Sequence, residues 1–235
     1  QGAAAWASSP SVNNARDAGA SAGTQTAALY FCGRRPTVSD QTESWNGTTW
    51  TNLNNTNTAR EYLGGAGIQT AALAIATLDQ SPNLGCETWD GTCWAEGNNV
   101  NYVHGGGNTS GGIVTAAIVA GGGWPPPSPY FHAESETYDG TCWTNTNSMS
   151  DAAGGMQGGH SYSSVPGAFG FGSSPVSGAF EIYDGTSWTA STSLSTSREQ
   201  ATGAGSNTAA LAWGGNPGHI VNTESYNGTA WTEVA

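Results

Sequence analysis

Glu136-Thr137-Tyr138-Asp139-Gly140-Thr141-Cys142-Trp143 decides how this chain folds, because the phrase comes back four more times. The other copies open at Glu43, Glu87, Glu181 and Glu224 and close on Trp50, Trp94, Trp188 and Trp231. Each sets Asn-Gly or Asp-Gly between an aromatic residue and a Trp five positions on. That dipeptide is the strongest short-range hairpin signal, since a tight turn needs positive φ and these residues tolerate it. The leading aromatics at 45, 89, 138, 183 and 226 lie 44, 49, 45 and 43 residues apart. A period of that length with several strands inside it predicts a propeller, because one unit cannot bury its apolar face alone.

Working outward from the phrase, each unit divides into four strands, a to d from the axis. Residues 71–76 form a short apolar run that reads as a buried second strand. Residues 26–29, 115–118, 166–169 and 208–211 repeat it, and the segments before them (18–23, 63–68, 105–112, 153–159 and 201–205) are rich in Gly and Ala. Glycine normally weakens a strand or marks close backbone approach. Recurring in every inner strand, it reads as packing around a narrow axis, and no segment carries the Lys-Ser/Thr ending of a phosphate loop. The expected architecture is all-β: a five-bladed propeller with four antiparallel strands per blade. The blades fall at about 11–53, 54–97, 98–146, 147–191 and 192–235. Trp6 precedes Arg16 by the spacing that separates Trp50 from Arg60 and Trp188 from Arg198, so residues 1–10 look like the last strand of a preceding unit. Six outer strands for five blades is one too many; the reading taken is a closed ring with the spare strand packed outside it.

Composition bounds the partners. Only 9% of residues are charged, there is no Lys, and five Arg face 17 acids for a net charge of −12. Such a surface repels nucleic-acid phosphates and anionic membrane. No apolar run approaches the roughly 18 residues of a membrane span, and no basic-then-apolar leader is present. Ten Trp, eight Tyr and five Phe supply the rigid groups a core needs. Trp50, Trp94, Trp143, Trp188 and Trp231 are expected to be structural. Four Cys are too few for a disulfide scaffold; Cys86 and Cys93 flank one hairpin and could bridge, or all four could serve as small apolar fillers.

The units resemble the kelch repeat. Gly121-Gly122 and Gly214-Gly215 match that family's Gly pair after the second strand. Tyr138-Asp139 and Tyr183-Asp184 match its third-strand ending, and Trp143, Trp188 and Trp231 its closing indole. Ala76-Thr77 in the second unit and the Gly170/Gly172 spacing in the fourth depart from it. A narrower likeness is to the Thr-Ala-Ala-Leu and Trp-Asn-Gly-Thr repeats of structural proteins of tailed, especially marine, bacteriophages. That resemblance implies a virion protein, in a capsid or tail appendage or a fibre head, present in multiple copies. Its implied contacts are other virion proteins or a host-surface receptor or glycan.

Candidate binding groups fall on the loops between second and third strands, which differ from unit to unit; loops on a rigid scaffold carry most recognition. They are Arg34, Arg35, Trp124, Tyr130, Phe131, His132 and His219. The Pro-rich third loop, with its aromatics, suits a protein hot spot or a sugar or folds back to cover a blade edge, and Arg34-Arg35 suits a carboxylate or sulfate or simply pairs with nearby acids. Catalytic residues, metal and cofactor are expected to be none. The four His lack ligand spacing, and Asp90, Asp139 and Asp184 belong to turns. The formal sequons at Asn46 and Asn227 are explained by their repeat position. A secreted extracellular lectin is the alternative reading, and an enzyme of the kelch type the third.

Overall fold

A computed structural model describes residues 6–77, 84–106, 108–122, 132–150, 157–160, 165, 167–172 and 176–234. The chain is all β, in five four-stranded antiparallel sheets arranged as a five-bladed β-propeller. The first blade holds β1 (Ala20–Thr24), β2 (Ala27–Phe31), β3 (Thr42–Trp45) and β4 (Trp50–Asn52). The second holds β5 (Gly64–Ile68), β6 (Ala71–Ile75), β7 (Cys86–Trp89) and β8 (Trp94–Glu96). The third holds β9 (Asn108–Ile113), β10 (Ala116–Gly121), β11 (Ser135–Tyr138) and β12 (Trp143–Thr146). The fourth comprises β13 (Gln157–His160), β14 (Phe169–Phe171), β15 (Phe180–Tyr183) and β16 (Trp188–Ala190). The fifth comprises β17 (Thr202–Ser206), β18 (Ala209–Trp213), β19 (Thr223–Tyr226) and β20 (Trp231–Glu233). Inner strands of consecutive blades pack side by side, and β13 pairs with β17 in parallel through Gly159↔Gly203 and His160↔Ala204. No comparable contact joins β17 to β1.

The phrase that organises the sequence forms the outer hairpin of every blade. The leading aromatic and the Trp sit directly opposite each other, as in Trp45↔Trp50 and Tyr138↔Trp143. Their ring centroids lie 5.0–5.4 Å apart in all five blades. The loop between them is thus four residues, not the two-residue turn that Asn-Gly suggests. Only its glycine has positive φ, from 90° at Gly47 to 104° at Gly185. The Asx side chain instead closes the loop: Asp139 Oδ1 accepts from the N–H groups of Thr141 and Cys142, both at 2.8 Å. Asn46, Asp90, Asp184 and Asn227 do the same. These backbone donors hold the Asp90, Asp139 and Asp184 carboxyls below the usual aspartate range.

Glycine recurs in the inner strands for two reasons, one local to the hairpin and the other the close packing of neighbouring inner strands expected around the axis. Gly67, with φ of +106°, sits opposite Ala72 just before the inner hairpin's turn, and a Cβ there would lie 2.2 Å from Ala71 O. Gly65 meets the preceding blade, and a Cβ on it would approach Ser21 O to 2.7 Å. A third backbone position repeats at the end of each second strand: Cys32, Ala76, Gly121, Gly172 and Gly214 all have φ of 55–70°. The departure at Ala76 is therefore one of side chain alone. The backbone keeps its left-handed turn at a cost of roughly 1–2 kcal/mol for a residue with a Cβ.

Blades join through their indoles. Trp94 Nε1 donates to Thr42 Oγ1 of the preceding blade at 3.0 Å, and Trp188 Nε1 to Ser135 Oγ at 2.8 Å. Cys86 and Phe180 stand in the corresponding places for Trp143 and Trp231, whose buried N–H groups meet no acceptor among the described residues. Trp94, Trp143, Trp188 and Trp231 are buried, as a structural role requires, while Trp50 is half-buried. The thiols do not pair: Cys32 and Cys86 are free and buried, and burial pushes both up to about 11. Cys93 and Cys142 are free and exposed, so only two of the four are fillers.

Candidate recognition rim

The loops between second and third strands share one rim with the linkers that lead into the next blade. Short backbone bridges tie the two sets together: Asp17↔Arg34, Ser39↔Arg60, Ser177↔Arg198 and Glu199↔Asn216. Of the residues singled out from sequence, Arg34, Arg35, His132 and His219 are described, and Trp124, Tyr130 and Phe131 lie outside the described residues.

Arg34 is held on three sides. Its Nε lies 3.1 Å from Glu61 Oε2 and 3.4 Å from Asp17 Oδ1. Its Nη2 donates to the Tyr62 hydroxyl at 2.8 Å, and the guanidinium stands 5.0 Å from the centre of that ring. Arg35 reaches Asp17 only at 3.9 Å and keeps 66% of its side chain exposed. The adjacent pair therefore divides: Arg34 staples the first blade's loop to the second blade's linker, and Arg35 presents a guanidinium to solvent. An ion pair this exposed is worth about 0–1 kcal/mol, so Arg35 is not committed to the fold. His132 Nδ1 lies 3.3 Å from Glu134 Oε2, both side chains partly open. His219 is exposed, with φ of 57° in the loop after the fifth blade's second strand. These groups sit on different blades and are not brought into one cluster. Among the described residues no group of three or more His, Cys, Asp or Glu could hold a metal ion.

The strongest polar chemistry lies inside the blades, in a device that the sequence reading did not identify. The Glu that opens every phrase points inward and is buried: Glu43, Glu87, Glu136, Glu181 and Glu224. Arg198 Nη2 donates to Glu224 Oε1 at 2.7 Å with both side chains fully buried. Arg60 makes the same contact with Glu87 at 3.0 Å, and Arg16 pairs with Glu43. In the third blade His104 Nε2 takes the place of the guanidinium, 3.1 Å from Glu136 Oε1. Each carboxylate also accepts from linker N–H groups, such as Ser195 at 2.7 Å and Asn57 at 2.7 Å. The remaining guanidinium donors reach loop carbonyls, for example Gly85 O at 2.6 Å from Arg60 and Gly214 O at 3.0 Å from Arg198. Buried charges are tolerated only when paired and hydrogen-bonded in this way. The linker from one blade is thereby latched to the third strand of the next. Burial works to raise the Glu136 carboxyl, but the hydrogen bonds from His104, Asn101 and Tyr102 outweigh it and leave it below the usual glutamate range. The signal for the latch was present: Arg stands 27 residues before the phrase's Glu at 16/43 and 60/87, and 26 before it at 198/224.

A propeller that latches its linkers with buried arginine–glutamate pairs, with one rim of differing loops, is the class of molecule these observations define. The solved structure titled "Structure of YjhT" shares the architecture: TM-score 0.71, 12% identity, covering 93% of this chain and 84% of that one. At that identity the likeness is one of fold. No protein-family model matches the chain, and no curated protein does.

Proposed function

We propose that this protein is a non-enzymatic structural and recognition module of kelch-like repeats in a tailed-bacteriophage particle. It stands in a capsid or tail appendage or at the head of a fibre, in several copies, touching other particle proteins or the host surface. The observation that supports this best is where the polar groups are used. Arg16, Arg60, Arg198 and His104 bind buried glutamates that latch one blade to the next. That chemistry builds a rigid support for loops rather than a reaction centre. The repeat likeness supplies the setting, and multiple copies let weak single contacts add up. Antibody labelling and protein identification on purified particles test it: the protein found on particles is the expected result, and the protein free in host cytoplasm but absent from particles overturns the reading. A glycan array separates the lectin alternative, which predicts a specific hit for the isolated propeller.

A further inference from the structure

The junctions between successive blades bury both facing surfaces, but the fifth and first blades leave theirs open. Leu73 of β6 is 1% exposed, and Leu29 and Ile118 at the same place in β2 and β10 are 0%. Leu211, their counterpart in β18, is 37% exposed, and Thr202, Ala204 and Ala209 around it are exposed too. On the opposite wall, Ser21 of β1 is exposed while Gly65, its counterpart in β5, is buried against the first blade. Ala28 and Tyr30 are half-buried where Ala72, Ala74, Ala117 and Val119 are fully buried.

Trp6 gives the size of this slot. Its Nε1 donates to Thr223 Oγ1 at 3.2 Å and its ring lies 5.3 Å from that of Trp213. Trp94, which is buried where Trp6 is 66% exposed, makes the same two kinds of contact to the preceding blade: Nε1 to Thr42 Oγ1 at 3.0 Å, and the Phe31 ring at 4.9 Å. Trp6 thus occupies the closing-indole position of the blade that follows the fifth. The Trp6-to-Arg16 linker has the same length as Trp50-to-Arg60, so that blade also immediately precedes the first. One blade position, and no more, lies between them. The ring of backbone bonds at the head of the inner strands agrees. Tyr62 N donates to Ala18 O at 2.8 Å and Gly106 N to Tyr62 O at 3.1 Å, while no such bond joins Ala18 to Gln200.

We propose that the slot receives the first three strands of a sixth sheet, for which residues 6–10 are the outermost strand. The walls are uncharged side chains, small ones (Ser21, Ala28, Thr202, Ala204, Ala209) around Leu211 and Tyr30, suited to a Gly- and Ala-rich inner hairpin like β5–β6 and not to a charged ligand. The occupant is three strands of a further repeat of this kind, whose closing indole is Trp6.

The test compares residues 1–235 with the same chain extended after Ala235 by a copy of residues 193–226, which continues the repeat in register. In both, Leu211→Cys or, as a second label, Thr202→Cys is alkylated and the modification located by mass spectrometry. The expected result is a monomer with a higher melting temperature, alkylation slowed at least tenfold, and a larger loss of melting temperature from Trp6→Ala in the extended protein. Unchanged alkylation and melting overturn the proposal. So does an unextended chain that dimerises and protects position 211, which would make a second copy the occupant.

Discussion

Leu73 and Leu211 hold the same place in the second and fifth blades, yet one is sealed and the other is open. Their strands differ little: Ala-Ala-Leu-Ala-Ile against Ala-Ala-Leu-Ala-Trp. Repetition sets what each blade is and leaves its burial to its neighbours. In a propeller, stability therefore belongs to the junctions, and a residue's worth depends on which blade faces it.

Breaking a latch or a closing indole should show the largest effects. Arg198→Ala strands the buried Glu224 carboxylate and is expected to cost about 3–5 kcal/mol, read from denaturant midpoints; Arg35→Ala at the open rim should cost under about 0.5 kcal/mol. Trp143→Ala should also cost about 3–5 kcal/mol. The half-buried Trp50→Ala should cost well under that, and equal losses would show the first blade's outer face to be covered. Leu73→Ala is expected to lose about 2–5 kcal/mol, against roughly 1 kcal/mol or less for Leu211→Ala, where little area leaves water. Equal values would erase the contrast between the two blades.

Two finer tests compare individual junctions. Because the folded Glu136 carboxyl sits below its ordinary range, its contribution to stability is whole above the unfolded glutamate range and is lost as pH falls through the lower folded value. Melting curves of Glu136→Gln and the parent should therefore converge as the solution is acidified below the ordinary glutamate value of 4.5. A gap that persists there would assign the carboxyl no such role. Cys86→Thr would place a hydroxyl before the Trp143 indole, as Thr42 does before Trp94. It is expected to gain up to about 1 kcal/mol, visible as a raised melting temperature.

Most of the blade pattern was legible in the sequence, because a hairpin phrase at a fixed period carries its own register. Three things were not. The four-residue outer loop hid behind Asn-Gly, whose usual meaning is a shorter turn; the Asx side chain, not its φ, closes the loop. The latch hid because Arg and its Glu lie far apart in sequence and meet only when a linker folds over the next blade. That Arg34 pairs with acids is expected in kind, but its partners Asp17, Glu61 and Tyr62 come together from two loops and no local pattern announces which they are. Trp6, in the segment read as a spare outer strand, lies on the fifth blade, where Thr223 and Trp213 supply its hydrogen bond and ring partner.

The scarcity of basic residues has a practical consequence at the bench. Lysine is absent, and Arg16, Arg60 and Arg198 are sequestered in the latches. A protease that cuts after basic residues meets, on the native molecule, little beyond Arg34 and Arg35, the latter followed by Pro36. Even the denatured chain yields one fragment running from 61 to 198, too long for routine peptide sequencing. Amine-directed cross-linkers find no side chain to react with. Proteomic surveys built on such reagents would pass this molecule over, and digestion at aromatic or acidic residues is the way to see it.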